Sequence, residues 1–144
     1  MKYLLFIFFL SCTKVQPEVV QAEQTFIGKD LEFFNAVNEM RLSRNLPTVK
    51  GNKQLTDGCK QHTLDMIAVD SLNHIGVGTR GENSRAETFS EVVAYGYVNA
   101  ESFLSGYMNS AKHRTALIDA EKTDIGISTI GLYQTVNLAS YERN

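Results

Sequence analysis

Hydrophobic positions in this chain recur with a helical period through much of its length and alternate near its end. From Gly28 to Arg44, Leu31, Phe34, Val37 and Met40 fall on one stripe that Phe33 widens, which predicts an amphipathic helix. Asn45-Leu46-Pro47 ends it, since a proline disfavours helix in the residue before it. Gly51-Asn52 offers a turn. Leu55, Cys59, His62, Met66 and Val69 then recur at spacings of four, three, four and three, predicting a second helix over Gln54 to Val69. His62 and Cys59 lie on its inward stripe and read as core residues, a hydrogen-bonded histidine and a small buried hydrophobe. Ser71 to Thr88 is polar and holds Gly76, Gly78 and Gly81, so a loop is expected there.

Glu91 to Tyr97 alternates Val92 and Ala94 with Val93 and Tyr95, the period of a strand. Asn99 is a good N-cap for a third helix, in which Ala100, Phe103, Leu104, Tyr107 and Met108 form a continuous apolar face. Ser110 can cap a short helix through His113 to Ile118. Asp124 to Ile130 and Tyr133 to Tyr141 close the chain as two strands, and Gly131 between them suggests a tight hairpin. Helices covering a small antiparallel sheet make the expected class α+β.

A chain of 144 residues, 43% hydrophobic and 21% charged, is most simply one globular domain. The formal charge of −2, with no Lys/Arg cluster on a helix face, disfavours nucleic-acid binding. Met1-Lys2 followed by the apolar run Leu4 to Leu10 is too short to span a bilayer and reads as a secretory signal. Ser11 directly before Cys12 resembles a bacterial lipoprotein processing site, with Phe9 where Leu is more usual. Residues 1–11 are then the signal, Cys12 the lipidated N-terminus, 12–27 a tether, and 28–144 the domain. The expected location is the cell envelope, anchored to membrane through Cys12, or secreted if that cysteine is not modified. Acylation of Cys12 leaves Cys59 alone, so no internal disulfide can form. Thr13 to Thr25 is polar, contains Pro17 and lacks periodicity, as a tether would.

The chemistry concentrates between His74 and Arg114. His74 and His113 bracket two carboxylates, Glu82 and Glu91, and imidazole with carboxylate suits zinc and similar ions. The intervals are too long for a local motif, so a scatter of surface and cap residues fits the spacing equally well.

Several short motifs, in order, resemble the CAP superfamily (cysteine-rich secretory proteins, antigen 5, pathogenesis-related 1). Asn38-x-x-Arg41 with Leu46-Pro47 is similar to its first helix, and His62-x-x-Asp65-Met66 to the second helix of bacterial members. Asn73-His74-x-Gly76-x-x-x-Arg80 resembles the loop histidine and following arginine. Glu91-Val-Val-Ala-Tyr-Gly-Tyr97 resembles the strand written Gly-Glu-Asn-Val-Ala-Tyr-Gly, and Tyr107-Met-Asn-Ser110-x-x-His113-Arg114 resembles Trp-Met-Asn-Ser-Pro-Gly-His-Arg. Asp124-Ile-Gly-Ile127 and Tyr133-Gln-Thr135 look like the closing hairpin. Gly81-Glu82-Asn83 spells the family's tripeptide but comes too early, so segment order assigns the cleft glutamate to Glu91.

The resemblance implies an α-β-α sandwich with His74, Glu91 and His113 converging in a cleft. Asn38, Arg41, Arg80, Ser110 and Arg114 would support it. The family's second glutamate falls near Ser110 and is missing, and Tyr107 replaces the usual Trp. His74, Glu91 and His113 would make a His₂Glu set of the kind that holds zinc or another divalent metal. Alternatively, both histidines would bond Glu91 as a structural cluster, with Arg80 and Arg114 in loop-ordering ion pairs. The function expected is a non-catalytic binding module whose cleft holds a metal, small ligand, protein, peptide or lipid. A metal-dependent, peptidase-like hydrolase is the alternative, weakened by the missing carboxylate. A Ser-His-Asp arrangement with Ser110 as nucleophile has no elbow motif behind it.

Overall fold

The computed structural model describes residues 25–142. The expected signal, Cys12 and most of the expected tether lie outside the described residues. Helix α1 is Gly28–Leu42 and helix α2 is Lys53–Ala68. Both end in the same way. After α1, Asn45 takes a left-handed φ of 57°, Leu46 N–H bonds Arg41 C=O and Asn45 N–H bonds Leu42 C=O. After α2, Asp70 at φ 46° leaves Ser71 N–H to Met66 C=O and Asp70 N–H to Ile67 C=O. These paired bonds satisfy carbonyls that each helix end would otherwise orphan. Asn52 caps α2 by accepting the Leu55 N–H at 3.1 Å.

The glycine-rich stretch is the main departure from expectation. Val77–Ser84 is a helix, α3, not a loop, flanked by left-handed Gly76 and Arg85. Glycine's poor helix propensity is overridden by packing. A side chain at Gly81 would meet the Phe89 ring at 3.3 Å, so the glycine lets α3 lie against the sheet.

Strand β1 is only Lys50–Gly51, β2 is Thr88–Tyr95, β3 is Asp124–Ile130 and β4 is Tyr133–Ser140. Helices α4 (Ala100–Asn109) and α5 (Ala111–Leu117) separate β2 from β3. Asn99 and Ser102 cap α4 reciprocally. Ser110 precedes α5 without a side-chain cap bond. The sheet order is β1-β3-β4-β2, antiparallel except for the short β1–β3 pair, which takes up Gly51 of the turn expected at Gly51-Asn52. β2 begins three residues earlier than expected. In the β3–β4 hairpin only Gly131 of the two turn residues has positive φ, 62°, the position at which a two-residue II′ turn demands glycine.

Because side chains alternate along a strand, the register divides the sheet into two unlike faces. One carries Val92, Ala94, Ile125, Ile127, Val136 and Leu138, and meets Phe33, Phe34 and Val37 of α1, Phe103 and Tyr107 of α4, and Leu117 of α5. Phe26 belongs to this core, 5.1 Å from the Phe34 ring, so the folded unit starts ahead of Gly28. The other face carries Glu91, Thr135, Asn137 and Ser128 and is covered by α2. There Thr63 donates to Cys59 C=O and lies 2.8 Å from the Thr135 hydroxyl. A Cβ on Gly126 would come within 2.3 Å of the Leu55 carbonyl carbon, so only glycine lets α2 settle on β3. The layers are therefore α-β-α, with apolar packing on one side of the sheet and polar packing on the other.

Candidate functional site

Glu91 lies in β2, the outer strand of the sheet, on the polar face beneath α3. Its carboxylate is fully buried and grasped from one side by Arg80 of α3. Arg80 Nε donates to Oε2 at 2.6 Å and Nη2 to Oε1 at 2.7 Å, while Nη1 donates to Ile75 C=O. Such a two-pronged guanidinium–carboxylate pair is among the stronger polar contacts in proteins. Arg80, expected to support the cleft or alternatively to order a loop through an ion pair, is the counter-ion of the central carboxylate and also holds the Ile75 carbonyl of the His74 loop.

His74 Nδ1 lies 3.0 Å from Glu91 Oε1, on a side chain that is 46% exposed. The other family histidine does not share that carboxylate. His113, in the first turn of α5, packs edge-on against Tyr107, ring centroids 5.3 Å apart, and faces the cleft opposite β2. Its pKa is pushed below 6.5, first by burial and then by the nearby His74. Tyr107 is thus a ring support for His113, its own hydroxyl buried without a hydrogen-bond partner among the described residues.

His62, read as a core residue, is buried, and its Nε2 contacts Asn73 C=O at 2.8 Å. The same nitrogen is 3.6 Å from Glu91 Oε1. It therefore fixes the residue ahead of His74 and extends the carboxylate's surroundings inward. Glu82 is exposed on α3 and takes no part in the cleft. Ser110 does not line the cleft either. Arg114 turns away to donate to Met108 C=O at 2.8 Å.

The cleft has a volume of about 320 Å³. Beyond His74, Glu91 and His113, it is bounded by Ser90 and Val92 of β2 and by Lys112, Thr115, Ala116 and Asp119 on the α5 side. Asp119 is a further carboxylate of the cleft that no sequence pattern marks. It lies on no motif and reaches the cleft only through the loop after α5. Arg41 builds that loop. Fully buried, it donates to Pro47 C=O at 2.7 Å, Leu117 C=O at 2.8 Å and Asp119 C=O at 2.9 Å, and approaches Lys122 C=O at 3.4 Å. Asn38 pairs with both backbone groups of Val49 beside it. Asn38 and Arg41 thus pin consecutive parts of one loop, and Arg41 also carries the far wall of the cleft.

The sequence pattern of the cysteine-rich secretory protein family (CAP) matches residues 34–137. The chain belongs to the CAP family. Its α-β-α fold is shared with an extracellular protein of Bacillus anthracis containing an SCP domain (23% identity, TM-score 0.74, 78% of this chain and 40% of that one). It is shared too with an outer surface protein of Borrelia burgdorferi (18%, TM-score 0.69, 76% and 90%). A cysteine-rich secretory protein of Staphylococcus aureus is also similar (17%, TM-score 0.71, 86% and 40%). In sequence, the CAP chain is 24% identical over 135 residues to the uncharacterized membrane protein YlbC of Bacillus subtilis (strain 168), spanning 38% of its length. No helix among the described residues is long and apolar enough to cross a membrane.

As a three-ligand His₂Glu centre the residues do not fit. Both Glu91 oxygens are engaged by Arg80 and one also by His74, and no three His, Cys, Asp or Glu side chains among the described residues group to hold a metal. A metal would have only the two imidazoles. His74 is oriented for that, since a histidine bonded to a carboxylate through Nδ1 leaves Nε2 as the ligand atom.

Proposed function

We infer that this CAP domain is a non-catalytic binding module of the cell envelope, tethered through acylated Cys12, and that the cleft between His74, Glu91 and His113 is its binding site. The observation that carries the reading is the state of Glu91. A general base must present a lone pair to a proton in the cleft. The Glu91 carboxylate is buried and accepts from a bidentate arginine and an imidazole, so it organises the site rather than reacting in it. The extracellular, outer-surface and membrane descriptions of the relatives support an envelope location. A single cysteine at the end of a signal supports the anchor, since two or three acyl chains hold a protein stably to a bilayer.

A second reading keeps the cleft as a weak two-imidazole metal site, favoured by the orientation of His74. Zinc titrated calorimetrically into wild type and His113→Ala separates the two readings. Heat that disappears in the variant supports the metal site; no heat, or heat the variant leaves unchanged, leaves the polar binding cleft. For the anchor, Cys12→Ser is expected to shift the protein from the membrane to the soluble fraction. Retention on membranes would refute acylation at Cys12.

A further inference from the structure

The floor of the cleft is a free sheet edge. Gly96 N–H bonds Leu132 C=O at 3.0 Å, just past the end of β2, and Glu87 N–H reaches Ser140 C=O at its start. In an antiparallel pair, backbone groups alternate between the two sides of a strand. With the register Val92↔Val136 and Ser90↔Leu138, the even-numbered residues of β2 bond β4, and Phe89 and Glu91 turn their N–H and C=O outward. Exposure agrees. The Glu91 side chain is 0% exposed, yet the residue as a whole is not buried, so what it shows to solvent is main chain. Val93, further along, is buried. The open edge is therefore short, and at Glu91 it borders the cleft.

An unpaired edge of this kind pairs with an extended chain. Helices α3 and α5 and the His74 loop flank it, leaving an opening of about 320 Å³ that suits a single extended segment rather than a second folded copy. The charges specify that segment further. Glu91 is neutralised by Arg80, and Asp119 has Lys122 at 3.8 Å and the Glu121 N–H at 3.0 Å. Lys112 has no carboxylate partner among the described residues, and His74 and His113 flank the same opening. Resting on the reading of the cleft as a binding site, we propose that it takes an extended peptide as an added strand along Phe89–Glu91, with an acidic side chain of that peptide set against Lys112 and the two imidazoles.

The test uses the full chain against a displayed library of random hexapeptides, then fluorescence anisotropy with a recovered peptide. Recovered sequences are expected to be enriched in Asp or Glu, and Lys112→Glu to weaken binding at least about tenfold. Methylating the peptide's backbone nitrogens one at a time reads strand pairing directly, and it leaves the protein's folding untouched. Alternate positions are expected to lose about tenfold or more, as when a hydrogen bond in a partly dry groove is broken, with the intervening positions tolerant. Binding lost in His113→Ala but indifferent to N-methylation at every position would overturn strand addition while leaving the cleft as a binding site. Recovery of no peptide would overturn strand addition as well, and zinc heat dependent on His113 would then keep the cleft as a site for small ligands.

Discussion

Removing Arg80 should cost more than removing the carboxylate it holds. In Arg80→Met the Glu91 carboxylate stays fully buried, loses both guanidinium bonds and keeps the His74 hydrogen bond at 3.0 Å, with His62 Nε2 at 3.6 Å. Stranding one member of a buried ion pair costs about 3–5 kcal/mol, and the surviving imidazole bond places this case at about 3. Glu91→Gln keeps the shape and one acceptor. The Arg80 side chain, 15% exposed, retains Ile75 C=O and can reach water, so the expected cost is about 1–2 kcal/mol. The double variant strands no charge and should cost about 2 kcal/mol, well short of the sum of the singles. That non-additivity marks a direct interaction. Against a total stability of about 5–15 kcal/mol for a domain, these shifts are easily resolved. Urea unfolding followed by far-UV circular dichroism suits a chain with no tryptophan. If Arg80→Met cost less than about 1 kcal/mol at an unchanged denaturant slope, or the double variant were additive, the carboxylate would be solvated and Glu91 available to react.

Three further outcomes are expected. His113, whose pKa is lowered by burial and by His74, should titrate below 6.5 in an NMR pH series and move upward in His74→Gln. Because the folded-state value is the depressed one, the unfolded chain takes up the extra proton first. This group's contribution is therefore intact above 6.5 and lost as pH falls through the depressed value; an upward-shifted midpoint would contradict the geometry. Cys59 is fully buried and its thiol pushed well upward by desolvation, so it should resist a disulfide reagent in the native state and react only on unfolding; fast native labelling would show α2 opening. Arg41→Lys keeps the charge but not the planar fork, leaving buried carbonyls of the 117–122 loop unpaired at about 2–3 kcal/mol, with amide shifts concentrated at residues 117–122. Shifts spread evenly over the domain would contradict that role.

The sequence by itself determined the helices and strands whose periodicity is strong. The stripe of α1, the inward face of α2, the capped apolar face of α4 and the closing hairpin each repeat at a period that one chain segment can reveal. It also pointed to Glu91 rather than Glu82 through segment order, and Glu91 is the one of the two that lines the cleft. Tertiary structure decided the rest. Val77–Ser84 is helical because Phe89 and Glu91 hold Gly81 and Arg80 against the sheet, a contact that no local propensity encodes. Asp119 enters the cleft because Arg41 gathers carbonyls more than seventy positions away along the chain. The state of Glu91 was decided in the same way. A carboxylate's chemistry is set by the donors around it. Those donors come from a loop histidine and a helical arginine that meet β2 only after the layers have packed.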